Sequence, residues 1–189
     1  MAPDLEATTT AAIGGDRDAL ERIYVALAPK VRGYFAVRGA DDPDGLTNEV
    51  FVQVIRRISS TRGGWEGLRT LVFSVAHARL VDERRARARH PAQQPFDRED
   101  DDRTVASAEQ VALANVAHEE LLDLLEFLPN DQRSVILLRV LADLSISQTA
   151  SVMAISEPGV KRLQSRGLRT LKELLAPSVA SPTGSGTRK

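Results

Sequence analysis

The chain of 189 residues has no cysteine, so a disulfide framework and a thiolate metal site are both excluded, as suits a reducing compartment. Aromatic residues make up 4%, strict polar/apolar alternation is absent, and no Asn-Gly or Asp-Gly pair separates two β-branched runs. That scarcity argues against a sheet. No apolar run reaches the roughly 20 residues of a membrane span, and the start (MAPDLEATTT) lacks a basic segment followed by an apolar one. The expectation is a soluble, cytoplasmic protein. No Walker lysine follows Gly14-Gly15 or Gly63-Gly64. His118-Glu119-Glu120 is similar to the start of a zinc-protease motif, but Leu122 stands where its second histidine belongs. No catalytic constellation remains, so neither an enzyme, a cofactor nor a metal is expected.

What is present is helical periodicity. Behind Asp16 or Asp18 as N-cap, Leu20, Ile23, Tyr24, Leu27, Val31 and Phe35 trace one apolar face, with Pro29 expected to kink or divide the element. After the breaker Asp41-Asp42-Pro43-Asp44-Gly45, the residues Leu46, Val50, Phe51, Val54, Ile55 and Ile58 define an amphipathic helix. A polar, Gly-rich loop (Ser59 to Gly67) precedes a third helix that opens with Leu68, Leu71, Val72 and Val75 and runs into Arg84, Arg85, Arg87 and Arg89. Pro91 and Pro95 end it.

The net charge of −1 argues against a protein that coats nucleic acid indiscriminately, yet charge is segregated. Asp97, Glu99, Asp100, Asp101 and Asp102 follow the arginines within a core-poor, proline-containing stretch. The predicted fold class is all-α, two small helical domains joined by a flexible acidic linker. The expected division is a disordered start (1–11), a first domain (12–90), the linker (91–112), a second domain (113–175) and a disordered Ser/Pro/Gly-rich tail (176–189).

The most specific signal is LSISQTASVMAISEPGVKRLQSRGLRTL. A short helix from Ser147 to Met153, a turn at Ala154-Ile155 and a second helix from Glu157, capped by Ser156 with Pro158 in its first turn, form a helix-turn-helix. On a helical wheel Val160, Leu163, Gly167, Leu171 and Leu174 share about 80° of arc, while Lys161, Arg162, Ser165, Arg166, Arg169 and Lys172 take another side. One face is core and the other cationic, as a recognition helix requires. A merely solvated amphipathic helix would look similar; the preceding helix and turn favour DNA binding.

Two blocks, DGLTNEVFVQVIRRI followed by LRTLVFSVAHARLVDERRARAR, and LPNDQRSVILLRVLADLSISQTASVMAISEPGVKRLQSRGLRTL, together resemble the extracytoplasmic-function (ECF) group of sigma factors over about residues 12 to 175. The resemblance implies that region two (12–90) binds core RNA polymerase and the minus-ten element, and region four (113–175) the minus-thirty-five element. The helix Leu46–Ile58 would dock on the clamp helices of the largest polymerase subunit through Asn48, Glu49, Val52, Gln53, Arg56 and Arg57, while the flap is a further polymerase contact. Arg62, Trp65 and the third helix, with Arg79 and the cluster Arg84, Arg85, Arg87 and Arg89, would capture and melt the minus-ten element. Glu157, Pro158, Lys161, Arg162, Ser165, Arg166 and Arg169 would read the upstream one.

Trp65 has two readings, a platform for an extruded base or a plug over the core. The acidic run has two as well, a solubilising linker or a nucleic-acid mimic in a positive polymerase channel. An anti-sigma protein is a further candidate partner. Three positions depart from the family pattern: Leu71 replaces a tryptophan, Ala78 an asparagine, and Ala154 the turn glycine. The competing reading is an ordinary helix-turn-helix regulator whose first domain senses a ligand or dimerises.

Overall fold

The computed structural model describes residues 4–89 and 124–175, and among them there are helices and no strand. The α-helices whose bounds lie within the described residues are α1 (Leu5–Ile13), α2 (Arg17–Val37), α3 (Pro43–Arg57), α4 (Gly64–Arg89), α5 (Asn130–Val140), α6 (Ile146–Met153) and α7 (Glu157–Leu175). A 3-10 turn, Ile58–Ser60, follows α3. The expected acidic linker and C-terminal tail lie outside the described residues.

Short polar side chains set the helix starts. Asp4, Asp16 and Asp42 each accept a hydrogen bond from a backbone N–H of the first turn of α1, α2 and α3, and Pro43 occupies the first position of α3. Such caps satisfy donors that have no partner within the helix.

The start of the chain corrects the expectation of disorder through residue 11. From Leu5 it is helical, and Thr8, Thr9 and Ala12 are buried. The Thr-rich stretch hides this because threonine looks polar, yet the Thr8 and Thr9 hydroxyls donate to the carbonyls of Asp4 (2.8 Å) and Leu5 (2.7 Å). Only methyl groups are left to face α2 and α4.

Pro29 does not divide α2, which runs unbroken from Arg17 to Val37. The ring is exposed, and the carbonyl it cannot serve belongs to Val25, itself 66% exposed, where water can take the place of the missing N–H. Ile23, Leu27, Val31, Tyr34 and Phe35 are buried, but Tyr24 stands at the rim, its ring edge-on to Phe51 and its hydroxyl bonded to Asn48. Ile55 is also displaced from its expected core role, being 51% exposed.

The first four helices therefore form a bundle in which α2 and α3 enclose Leu68, Val72, Phe73, Ala76 and Leu80 of α4. α5 and α7 cross closely at Gly167, where a β-carbon would sit 3.2 Å from Ile136 Cγ1. Leu125, Leu128, Ile136, Leu138 and Leu144 continue the same buried cluster that α2, α3 and α4 build. The two helical units thus pack directly on one another.

At the heart of α2, the fully buried Tyr34 hydroxyl bonds His77 Nδ1 of α4 at 2.8 Å. Burial pushes Tyr34 up to about 12, and burial followed by the charge of Arg38 lowers His77. A histidine held neutral by the fold stabilises it above the ordinary histidine pKa, and that contribution is lost as pH falls through the lowered value. Denaturant unfolding of the wild-type chain should therefore lose stability as the pH falls below about 6.5. His77→Gln should flatten that part of the profile, which would otherwise match the wild type.

Candidate nucleic-acid and polymerase interfaces

The helix-turn-helix is built by local chemistry. Ser145 and Gln148 form a reciprocal capping box at the start of α6, with Ser145 Oγ accepting from Gln148 N at 3.1 Å and Gln148 Oε1 from Ser145 N at 2.6 Å. α6 ends at Ala154, whose φ of 53° is left-handed, and its N–H closes on the Ala150 and Ser151 carbonyls. Ser156 then caps α7, its Oγ accepting from Gly159 N at 3.3 Å. A small apolar cluster of Val135, Ala150 and Val160, joined by Ile146, Met153, Ile155 and Leu163, fixes the angle between the two helices.

On α7, Val160, Gly167 and Leu171 are buried, whereas Glu157, Pro158, Lys161, Arg162, Ser165, Arg166 and Arg169 are all exposed. The wheel reading holds over most of the helix, but Leu174 is 42% exposed rather than core. Across its length α7 carries five cationic side chains against two carboxylates, Glu157 and Glu173. Arg169 lies 4.0 Å from Glu173, so Lys161, Arg162 and Arg166 form the less compensated part of the face. That face can hold phosphate and approach base edges.

The outer side of α3 exposes Asn48, Glu49, Val52, Arg56 and Arg57, with Val52 51% exposed. Ile55 adds a second apolar side chain there, one missed because its spacing also fits the core stripe. Gln53 is half-buried; with its amide oxygen turned toward α4 it accepts from Arg79 Nε at 2.8 Å, and Glu49 Oε2 lies 3.5 Å from Arg79 Nη2. Arg79 is therefore anchored to α3 and is not a free cation.

The α3–α4 corner is tighter than the sequence suggests. α4 begins at Gly64, so Trp65 lies in its first turn and not on a long loop. The ring packs against the core, and the Trp65 N–H donates to Glu6 Oε2 at 2.9 Å, an N-terminal cap supplied by α1. The plug reading fits this placement better than a freely swinging aromatic. Arg62 is exposed beside it. Leu71 leans on the core and Ala78 is exposed.

The arginine cluster splits. Arg87 binds Glu83 (3.0 Å), Asp41 (2.9 Å) and the Gly39 carbonyl (3.2 Å), tying the end of α4 to the α2–α3 corner. Arg84 is half-buried and Arg85 exposed near Asp82; the Arg89 side chain lies outside the described residues. Sequence reasoning passed over Arg38, Arg69 and Glu6 because nothing in their local pattern sets them apart from ordinary solvated charges. All three act across elements distant in the chain.

Residues 118–171 match the family model described as Sigma-70, region 4. The RNA polymerase sigma factor CarQ of Myxococcus xanthus is 31% identical over 171 residues, covering 85% of this chain and 91% of that protein. The chain belongs to the sigma factors of the ECF group.

The ECF RNA polymerase sigma factor SigD of Mycobacterium tuberculosis is 29% identical to this sigma factor over 178 residues, 89% of this chain and 82% of that one. In fold, the sigma factor is similar to CnrH as solved in complex with the cytosolic domain of CnrY. The TM-score is 0.61 at 20% identity, over 90% of this chain and 96% of that one. Among the described residues, no group of His, Asp and Glu is placed to hold a metal, and no helix is long and apolar enough to cross a membrane.

The departure at Ala154 has a measurable consequence. An L-residue in the left-handed region costs on the order of 1 kcal/mol against glycine. Ala154→Gly in this sigma factor should therefore stabilise region four by about 0.5–1 kcal/mol in denaturant unfolding, provided the turn itself sets the conformation. Unchanged or lower stability would show that Ala154 carries no strain.

Proposed function

We propose that this sigma factor directs promoter-specific initiation by a division of labour between its two regions. Region two docks core RNA polymerase through the outer face of α3 (Asn48, Glu49, Val52, Ile55, Arg56), and its α3–α4 corner with α4 opens the minus-ten element. Region four holds the minus-thirty-five element in the major groove through α7. The observation that carries this reading is the separation of faces on α7, where the buried stripe Val160, Gly167 and Leu171 turns Lys161, Arg162 and Arg166 outward together.

Arg162 and Arg166 lie one turn apart on the exposed side, the spacing at which two guanidinium groups can address neighbouring phosphates or base edges. On α3, Val52 and Ile55 are apolar, exposed and flanked by charge, the composition of a contact patch with a polar rim. Arg79 braces Glu49 and Gln53 from behind and so keeps that surface in shape. Arg62 is the remaining exposed cation at the corner where strand opening is assigned.

Run-off transcription with purified core polymerase tests the reading. The sigma factor should yield a promoter-specific transcript from a template selected by the reconstituted holoenzyme; duplex binding by the chain alone with no transcript would replace the sigma role by that of a simple regulator.

The two surfaces should also fail separately. Arg162→Glu or Arg166→Glu should weaken capture of the upstream element by about tenfold or more, at roughly 1–3 kcal/mol per contact, with core binding intact. Val52→Glu should reverse the pattern, lowering affinity for core polymerase in a pull-down while α7 still binds duplex DNA.

A further inference from the structure

The first helix, α1, delivers a carboxylate to the corner between α3 and α4. Its own first turn is pinned, because Asp4 Oδ1 accepts from the Glu6 N–H at 3.1 Å and the Glu6 carbonyl accepts from the Thr10 hydroxyl at 3.1 Å. Thr9 and Ala12 are fully buried, which fixes the helix against α2, α4 and the 3-10 turn Ile58–Ser60. Glu6 thus projects from a rigid element and meets Trp65, 59 residues further along the chain.

The corner that it meets has little rigidity of its own. Gly63 and Gly64 both adopt left-handed φ, 83° and 56°. Two glycines in a row have the widest backbone freedom and the most to lose on ordering. A β-carbon on Gly67 would overlap the Arg62 carbonyl oxygen, so the chain folds back tightly on Arg62. The Thr61 hydroxyl, buried in the same stretch, has no hydrogen-bond partner among the described residues and so does not hold the turn.

Glu6 does hold it. Its Oε2 accepts from the Trp65 N–H at 2.9 Å, and a β-carbon on Gly64 would overlap the same carboxylate. The carboxylate therefore packs on the turn as well as bonding to it. The Trp65 N–H is a first-turn donor with no partner inside α4, and a negative charge there meets the positive end of the helix. Arg62 precedes the two glycines and Trp65 follows them. Whatever sets the turn sets where the exposed Arg62 guanidinium stands relative to the seated Trp65 ring.

We propose that Glu6 is a positioning residue for opening of the minus-ten element, holding the Gly63-Gly64 turn so that Arg62 faces the strand to be separated. This rests on the assignment of strand opening to the α3–α4 corner. Glu6 acts through the Trp65 N–H and touches no DNA. It lies on neither the outer face of α3 nor α7, so its loss affects opening and spares both docking surfaces.

Permanganate reactivity of unpaired thymines tests this, using full-chain variants, core polymerase and a promoter selected by the reconstituted holoenzyme. Glu6→Ala keeps a strong helix former in α1 and removes the acceptor, whereas Glu6→Gln keeps an oxygen acceptor without the charge. Opening of duplex promoter should fall by about tenfold or more with Glu6→Ala, the order of one lost hydrogen bond to a charged group. Glu6→Gln should recover most of it. Core-polymerase affinity should match the wild type, and a template already mismatched across the minus-ten element should be transcribed equally by all three proteins. A general folding defect would lower both.

Normal opening by Glu6→Ala, a loss that persists on the mismatched template, or a Glu6→Gln variant no better than Glu6→Ala overturns the proposal. Should Glu6→Ala fail to fold, Gly64→Ala, whose β-carbon displaces the carboxylate, carries the same comparison. Arg62→Glu, measured in parallel, separates the two readings. If it opens DNA normally, the assignment of the corner fails and the role of Glu6 with it; a defect there, with none in Glu6→Ala, overturns the positioning role alone.

Discussion

Much of this structure depends on one buried polar node, where Tyr34, His77, Arg38 and Ser134 bring α2, α4 and α5 together. Tyr34 supplies aromatic bulk, with its ring edge-on to Phe73, and a hydroxyl that His77 satisfies. Arg38, four residues along α2, carries the chain of contacts on to α5. In a low-dielectric interior such groups are stable only when partnered, so the node fixes the rotation of α2 and α4 and the place where α5 meets them.

Around that node the amphipathic helices have little choice of orientation. α2 and α3 turn their apolar stripes onto α4, and α7 turns Val160, Gly167 and Leu171 inward against α5 and α6. The faces left over are those the proposed function would use: a charged ridge with two apolar residues on α3, and a cationic ridge on α7. Near-neutral net charge fits this arrangement, because a subunit with modest intrinsic attraction to phosphate depends on polymerase to bring both of its grips to one promoter.

The elements with strong periodicity or strong caps were legible from the chain alone. Asp16, Asp42, Ser145 and Ser156 mark helix starts by a short-range mechanism, and the turn at Ala154-Ile155 is local too. Where the reading failed, the deciding partner was far away in sequence. α1 escaped notice because burial of its threonines depends on α2 and α4, Ile55 fitted the core stripe but faces solvent, and the two readings of Trp65 stayed open because Glu6, which caps the helix it opens, lies 59 residues away.

The sequence by itself determined that the chain is helical, that it carries a helix-turn-helix with one cationic face, and that it resembles ECF sigma factors. These follow from periods of three to four residues and from caps that act within one turn. Only the tertiary structure decided which charges are free. Arg79 and Arg87 were expected to face DNA, and nothing local distinguishes Arg38 and Arg69, yet each is committed to a partner on another element, the last two between the two helical units. A guanidinium's role depends on what lies within about 4 Å of it, and that neighbourhood is set by packing between helices.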